Sequence, residues 1–482
     1  MPKTILIFSD GTGQIGGLRP DQRLSNVYKM YRAMRPGPDT PISPHDQVAF
    51  YDAGLGAGES GGLTFRRLRN ILAAAVGTGI DENVIDCYAA VIARFEPSDR
   101  ICIFGFSRGA YTARSLTNVL NLCGVPTQDA AGGPVPRYGA ELRAIASEGV
   151  RKIYNHGAGA KRDRYETERE TLAARFRERY GSQGVGLDGE GQGNVQPDFV
   201  GVFDTVAALG SRTATAIAAL GMIALIGLNV LVGSVAPWWG TALVAVLPLS
   251  ATYWFATSLW SQVKVFADDK ALEHRWWHPR RWFYQLTHAH IAWWSGRHYD
   301  RYVDKEVRFL RHALAIDEDR AKFPRVGWGR PTDLRWHKER GREDWLVQTW
   351  FAGNHSDIGG SYPEEESRLS DIALRWMVEE LKVAMGDAVT VLEDRLVTSP
   401  DPLGLQHSER TGMLNSQPSW LRIVTRRRLV WTHATRDIHS QAQLHPTVLE
   451  RLAAPHVPQM GEVKAYRPES LREHQQAQPY IA

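Results

Sequence analysis

Short apolar runs that end in polar turns recur along the first half of the chain. They are Lys3–Phe8, Val48–Tyr51, Arg100–Phe104 and Phe199–Phe203. Patterns with helical spacing occupy 66–95 and 108–123, each between two such runs. Short runs bounded by turn residues are typical of buried strands, and their alternation with helices indicates a parallel sheet. The pattern therefore predicts an α/β fold with a mostly parallel central sheet flanked by helices.

The strand pattern returns in the second half of the chain. A strand is predicted over Trp345–Phe351, and the glycine-rich loop that follows it carries His355. A helix is predicted over 369–384, and the basic stretch that ends near residue 320 is also predicted to be helical. The sheet is therefore expected to continue after residue 320.

Between these halves lie two stretches without a charged residue, 214–235 and 240–259. Each has about the 20 residues that a helix needs to cross the hydrocarbon core of a membrane. Because only Ala236–Trp239 separates them, the sequence predicts a transmembrane hairpin of two helices that interrupts the α/β fold. The alternative is a pair of buried core helices, which is favoured by the polar Asn229 and by Pro248 within the apolar pattern.

The segment after the hairpin is rich in basic residues and tryptophan. It contains Lys264, Lys270, Arg275, Arg280, Arg281, Trp276, Trp277, Trp282, Trp293 and Trp294. Tryptophan collects at membrane interfaces, and positive charge stays on the cytoplasmic side. We therefore predict two spans, with the globular domain and both termini in the cytoplasm. The predicted units are 1–211 and 321–482, the two parts of the globular domain, and 212–320, the hairpin with its basic flank.

Composition narrows the range of partners and cofactors. A net charge of +4 over 482 residues gives no general attraction to nucleic acid. Cys87, Cys102 and Cys123 are odd in number, so a disulfide framework is not expected and a reducing compartment fits best. The histidines are scattered without metal-ligand spacing, so the sequence predicts neither a metal nor another cofactor.

The segment Gly105–Gly109 has the pattern G-x-S-x-G and lies between a predicted strand and a predicted helix. In that context the pattern is typical of a nucleophile elbow, in which a serine occupies a sharp turn at the start of a helix. Ser107 is therefore the candidate nucleophile. The alternative is an ordinary strand-to-helix turn in which Ser107 caps the helix.

A serine nucleophile needs a histidine base and an acidic residue that orients the base. In α/β-hydrolases the chain order is serine, then aspartate or glutamate, then histidine. Asp204, at the end of a predicted strand, and His355, in a loop after a later strand, satisfy that order. His312 is an alternative base, and Asp357 is an alternative acid on the other side of His355 in chain order.

An oxyanion hole needs two main-chain N–H groups where negative charge develops. One normally comes from the residue after the nucleophile, here Arg108, and the other from an early loop. We predict that Gly11 or Thr12 supplies the second, because the turn Asp10–Gly13 closes the first strand. A turn without a catalytic role is the alternative.

Five ordered motifs resemble one family. They are Phe8–Thr12, Tyr51–Gly56, Gly105–Tyr111, Phe203–Val206 and Gly353–Gly360. The family is a group of uncharacterised α/β-hydrolases that includes the phospholipase effectors of type VI secretion. The resemblance implies an α/β-hydrolase fold and a lipase-like triad of Ser107, Asp204 and His355.

The expected activity is hydrolysis of a carboxylic ester through an acyl-enzyme, with a phospholipid or another acyl lipid as substrate. A hairpin of this kind would hold the substrate pocket at the bilayer. Two alternatives remain at this point. One is acyl transfer to an alcohol, and the other is a membrane-tethered scaffold or lipid-binding protein that keeps the fold without catalysis.

Overall fold

The computed structural model of the chain describes residues 2–11, 13–14, 16–17, 23–54, 79–206, 212–235, 237–292, 302–419, 423, 430–459 and 461–481. Within these residues six strands form the central sheet. They are β1 Thr4–Ser9, β2 Gln47–Asp52, β3 Arg100–Phe106, β4 Phe199–Phe203, β5 Phe309–Ala315 and β6 Leu346–Phe351. The order across the sheet is β2-β1-β3-β4-β5-β6, and every neighbouring pair is parallel. The carboxyl ends of the strands therefore lie along one edge.

Both faces of the sheet are covered, as expected for parallel strands with near-continuous apolar sequences. Ile5 and Ile7 of β1 pack into one buried apolar layer, whereas Leu6 and Phe8 pack into the other. This alternation follows from the period of two along a strand. A third buried cluster joins Leu314 of β5 and Trp350 of β6 to apolar residues of the carboxyl-terminal region, from Ile438 to Ala477.

The helices of at least eight residues are named in chain order. They are α1 Asn26–Met34, α2 Gly79–Arg94, α3 Arg108–Cys123, α4 Gly139–Ser147, α5 Glu166–Tyr180, α6 Arg212–Val235, α7 Trp238–Trp260, α8 Pro279–Thr287, α9 Pro331–Lys338, α10 Arg368–Met385, α11 Glu409–Ser416 and α12 Pro446–Ala453. Shorter helices are Asp269–Leu272, His355–Gly359 and Gln478–Ile481. Single turns of 3₁₀ or π type are Glu148–Ile153, Tyr154–Gly157, Arg162–Tyr165, Glu364–Glu366, Gly386–Ala388, Glu393–Arg395 and Glu469–Leu471.

Three antiparallel strand pairs lie outside the central sheet. They are Gln183–Val185 with Gly191–Gly193, Val263–Val265 with Ala289–Ile291, and Val457–Gln459 with Glu462–Lys464. The second pair follows α7 directly, so it forms the base of the hairpin.

The predicted parallel sheet is confirmed, and one expectation about its second half is wrong. The basic stretch before residue 320 is not wholly helical, because 309–315 forms β5, which pairs with β4 and β6. The sheet thus resumes inside the range 212–320. The helix predicted over 66–95 is described from Gly79 onward, and its earlier part lies outside the described residues. Cys87, Cys102 and Cys123 are buried free thiols.

The two apolar stretches form a pair of helices, α6 and α7, that contact each other. Within α7, Trp238–Thr257 is long and apolar enough to cross a membrane, and only 12% of its most apolar part is buried. The alternative of a buried core helix is thus wrong for this segment. The apolar part of α6, Ala219–Val235, is shorter than the roughly 20 residues with which a helix crosses a membrane. A hairpin with two membrane spans is therefore not supported.

Candidate active site

Ser107 occupies a strained turn between β3 and α3. Its φ of 58° and ψ of −119° place it in a backbone region that residues other than glycine rarely adopt. The Ser107 side chain makes no capping hydrogen bond to α3. The alternative of a helix-capping serine is therefore wrong for this conformation. The turn instead leaves the hydroxyl beside a cavity that Ser107 lines.

Close backbone packing explains why glycine stands on both sides of the turn. A Cβ atom on Gly109 would lie 2.1 Å from the main-chain oxygen of Ser9, at the end of β1. A Cβ on Gly105 would lie 2.3 Å from the main-chain oxygen of Gly109. No real side chain tolerates such contacts, so the two glycines allow α3 to begin directly against the edge of the sheet.

Asp204 and His355 meet at this edge from the ends of β4 and β6. Nδ1 of His355 lies 2.7 Å from Oδ2 of Asp204, and both side chains are buried. Oδ1 of Asp204 accepts a hydrogen bond from the main-chain N–H of Ala315, at 3.2 Å. Nε2 of His355 is buried and has no hydrogen-bond partner in the described part of the chain. This is the arrangement in which an acid orients a histidine and the second ring nitrogen stays available.

Arg436 completes the surroundings of Asp204. Its guanidinium donates a hydrogen bond of 2.9 Å to Oδ2 of Asp204, the same oxygen that contacts His355. Burial by itself raises the pKa of Asp204, but the charge of Arg436 and the hydrogen bond from His355 outweigh it and hold the pKa well below its usual range. Asp204 is thus a buried carboxylate that stays ionised at neutral pH.

His355 is the first residue of a short helix, His355–Gly359, whose start is fixed by a capping box. The Asn354 side chain accepts hydrogen bonds from the N–H groups of Ser356 and Asp357, and Asp357 accepts one from the N–H of Asn354. Asp357 also lies 2.7 Å from Nδ1 of His407. Asp357, the alternative acid, therefore pairs with His407, whereas Asp204 pairs with His355.

The rival base, His312, lies within β5 and not on a helix. It is fully buried, and its Nε2 accepts a hydrogen bond of 3.3 Å from the main-chain N–H of Thr205. Burial holds its pKa well below the usual range. His312 is absent from the lining of the cavity beside Ser107, so its position favours a structural role.

The structure describes two of the three oxyanion-hole candidates, Arg108 and Gly11. Arg108 is the first residue of α3 and lines the cavity with Ser107. Gly11 lies beside Ser107, since a Cβ on it would be 3.3 Å from Cβ of Ser107. However, its N–H donates a hydrogen bond of 2.7 Å to the carboxylate of Asp10, which occupies that donor. Thr12 lies outside the described residues.

A cavity of about 360 Å³ lies beside Ser107 and His355. It is lined by Gln14, Phe106, Ser107, Arg108, Arg320, Phe323, His355, Ser356, Ser361 and Glu409. The rings of Phe106 and Phe323 flank the imidazole of His355, with centroids 4.7 and 5.5 Å away. Arg320 is held by a buried ion pair with Glu318, at 2.7 Å. The cavity thus offers aromatic walls together with fixed charges, which suits an amphiphilic ligand.

Two contributors to this site are absent from the sequence-based candidates. Arg436 lies in a polar stretch far along the chain from Asp204, and His407 reaches Asp357 from a loop before α11. No local periodicity marks either residue. The only signal in the sequence is a polar side chain in a carboxyl-terminal region of mixed pattern.

The family model described as the catalytic domain of Tle1-like phospholipase effectors of type VI secretion matches residues 3–380. The uncharacterized protein YEL023C of Saccharomyces cerevisiae is 30% identical over 130 residues, which are 26% of this chain and 18% of the yeast protein. A crystal structure of an uncharacterized Pseudomonas aeruginosa protein aligns at 15% identity with a TM-score of 0.33, covering 83% of this chain and 48% of that one. A structural likeness this loose supports no conclusion.

Proposed function

The chain belongs to the family of Tle1-like phospholipase effector catalytic domains, and from this premise we propose that it is a serine esterase that cleaves acyl lipids. Membership in the family supports a lipolytic hydrolase in general. The finer assignment depends mainly on one observation, the hydrogen bond of 2.7 Å between His355 and Asp204 beside the strained Ser107.

In the proposed reaction Ser107 Oγ attacks the carbonyl carbon of the ester, and Nε2 of His355 accepts the serine proton. His355 then gives that proton to the leaving alcohol as the acyl-enzyme forms. Water attacks the acyl-enzyme with His355 again as base, and the released products are a fatty acid and the free enzyme. Asp204, kept ionised by Arg436, holds the ring and stabilises its protonated form.

Two features support an apolar acyl substrate. The phenyl rings of Phe106 and Phe323 form walls of the cavity next to His355. The hairpin α6–α7 carries exposed apolar side chains along both helices, and a lipid environment would cover them. We propose that the hairpin inserts into a bilayer and keeps the cavity close to its substrate. The number of spans and the side of the membrane stay predictions.

The test is hydrolysis of a short-chain ester and of a phospholipid by the full chain in detergent. Wild type is compared with Asp204→Asn, His355→Ala and His312→Ala. We expect Asp204→Asn to lower kcat by about 10⁴-fold, because the neutral amide favours the wrong histidine tautomer. We expect His355→Ala to lower kcat by a similar factor.

His312→Ala serves as the matched control, since it removes another buried histidine, from strand β5. It should leave the turnover of the remaining folded protein within a few fold of wild type. Loss of activity in His312→Ala together with full activity in His355→Ala would assign the base to His312. If wild type hydrolyses neither substrate, the scaffold alternative takes the place of the enzyme.

A further inference from the structure

Three side chains of types that can bind a metal meet at the base of the hairpin, away from the residues that line the cavity beside Ser107. His156 lies in the turn Tyr154–Gly157, and Glu168 lies in the first turn of α5. His290 lies on the strand Ala289–Ile291, which pairs with the strand that follows α7. In the described part of the chain they form the one group of three or more such residues with suitable spacing.

The distances in this cluster are close to those of a metal site. Nε2 of His156 lies 2.6 Å from a carboxylate oxygen of Glu168, and one donor atom from each of the three residues lies within 4.8 Å of the others. Zinc binds nitrogen and oxygen donors at about 2.0–2.2 Å, so two ligands of one ion are about 3.4 Å apart in a tetrahedral site. Small side-chain rotations would bring all three donors to one ion.

Contacts around the cluster fix the orientation of both imidazole rings. His290 Nε2 lies 2.7 Å from the main-chain oxygen of His156, and its ring stacks on Tyr165 with centroids 3.9 Å apart. His156 is 1% exposed and meets the ring of His290 edge-on. Metal-binding histidines are commonly held in this way, with one ring nitrogen bonded to a carbonyl oxygen.

We propose that His156, Glu168 and His290 bind a transition-metal ion of the zinc class, with water at the fourth position. Two imidazoles and one carboxylate are donors that zinc prefers. Such an ion would join Ala289–Ile291, the strand that pairs with the one after the hairpin, to α5, where Arg175 already donates a hydrogen bond of 2.8 Å to the main-chain oxygen of Ala267. The ion would therefore stabilise the attachment of the hairpin to the hydrolase domain, with no part in ester hydrolysis.

One neighbouring charge opposes the ion. Lys264 lies near His156, and its ammonium donates a hydrogen bond of 2.8 Å to the main-chain oxygen of Ser261. The carboxylate of Glu168 supplies a compensating negative charge directly at the site. Affinity should therefore depend strongly on Glu168.

The experiment uses the full chain in detergent, stripped of metal with a chelator and titrated with Co²⁺. We expect about one equivalent to bind with a visible absorption band of four-coordinate cobalt, and Zn²⁺ to displace it. Glu168→Gln and His290→Ala should each weaken Co²⁺ binding by at least about tenfold. His288→Ala removes a histidine from the same segment outside the cluster and should bind as wild type does.

Absence of saturable Co²⁺ binding by the wild type would overturn the proposal. Binding that is equally strong in both cluster variants would also overturn it, because the ion would then occupy adventitious surface histidines. Glu168→Gln keeps the size of the side chain, so it tests the site even if His290→Ala does not fold. Ester hydrolysis should be unchanged by metal removal, which separates this result from the test of the catalytic residues.

Discussion

The carboxyl edge of the sheet and the α6–α7 hairpin differ in which kind of side chain they bury and which kind they expose. At the sheet edge, ionised and polar groups are buried with specific partners, as Asp204 is with His355 and Arg436. In the hairpin, large apolar side chains are exposed, with Val235 at 83% and Leu249 at 68%. The buried groups of the first region have partners within the described part of the chain. The second exposes apolar surface that the described residues do not cover, and exposed apolar surface of this extent is unfavourable in water.

The largest expected effect is at Ser107, the proposed nucleophile. Ser107→Ala should lower kcat for ester hydrolysis by about 10⁶-fold, since the other groups of such a site contribute little without the nucleophile. The free energy of unfolding of Ser107→Ala should be close to that of wild type. Ser356→Ala, which changes another serine of the same cavity, is the control and should stay within a few fold of wild-type kcat. Comparable losses in both variants would mean that the cavity, and not Ser107, determines the effect.

The next effect concerns the buried charge at the sheet edge. Arg436→Met should lower the free energy of unfolding by about 3–5 kcal/mol, because it leaves the buried carboxylate of Asp204 without its arginine. Arg410→Met is the matched control, since Arg410 pairs with Asp319 in a partly exposed position. It should cost less than about 1 kcal/mol. Urea denaturation followed by tryptophan fluorescence measures both, and equal losses would contradict the distinction.

Substitutions in the hairpin should have the opposite effect. They should change the binding of the protein to membranes without changing the rate of ester hydrolysis. Replacing Leu220, Ile223, Val230 and Leu231 with serine removes four exposed apolar side chains from α6. Partition into lipid vesicles should fall by about 100-fold or more, because four aliphatic side chains contribute about 3 kcal/mol together even when each is only half buried in the bilayer. Hydrolysis of a soluble short-chain ester should stay within about twofold of wild type if the two regions act separately.

The control for that experiment places the same number of serines on exposed aliphatic positions outside the hairpin. Those positions are Val185, Val383, Val397 and Val463. Their replacement should leave vesicle partition unchanged. A similar fall in both variants would show that general surface hydrophobicity, and not the hairpin, binds the membrane.

The last effect, and the smallest per pH unit, is a change in the pH dependence of stability at the end of β2. Burial raises the pKa of Asp52, at the end of β2, to about 7, despite hydrogen bonds from Ser9 and Asn83. Because the folded pKa lies above the unfolded value, this group's contribution to stability is present below about pH 4 and is lost as the pH rises to 7. Asp52→Asn should remove a slope of up to about 1.4 kcal/mol per pH unit in the free energy of unfolding.

Exposed Asp188 supplies the control for the pH experiment. Asp188→Asn should leave the slope between pH 4 and 7 as in wild type. An unchanged slope in Asp52→Asn would show that Asp52 is ionised across this range in the folded protein.

The sequence predicted most of the sheet, because its strands are short apolar runs bounded by turn residues. It did not predict β5, since Arg311 and His312 interrupt the apolar pattern of that strand. Both are buried with distant partners, Arg311 with Glu380 and His312 with the N–H of Thr205. Pairing across the fold made these polar residues compatible with a central strand, and no local pattern reports such pairing.

The candidate site shows the same limit. The order of Ser107, Asp204 and His355 could be read from the sequence because each follows a strand, and parallel strands end at one edge. Arg436 could not, because it reaches Asp204 from 232 residues away. The pairing of Asp357 with His407 and the cluster of His156 with His290 likewise depend on contacts between distant segments.

The most direct test of the central claim is covalent labelling of the full chain in detergent by a fluorophosphonate, with the modified residue mapped by mass spectrometry. Only a serine activated by a neighbouring base reacts rapidly with such a probe. We expect one label, on Ser107, that is lost in Ser107→Ala, strongly slowed in His355→Ala and retained in Ser356→Ala. Labelling of another serine, or none in an active preparation, would contradict it.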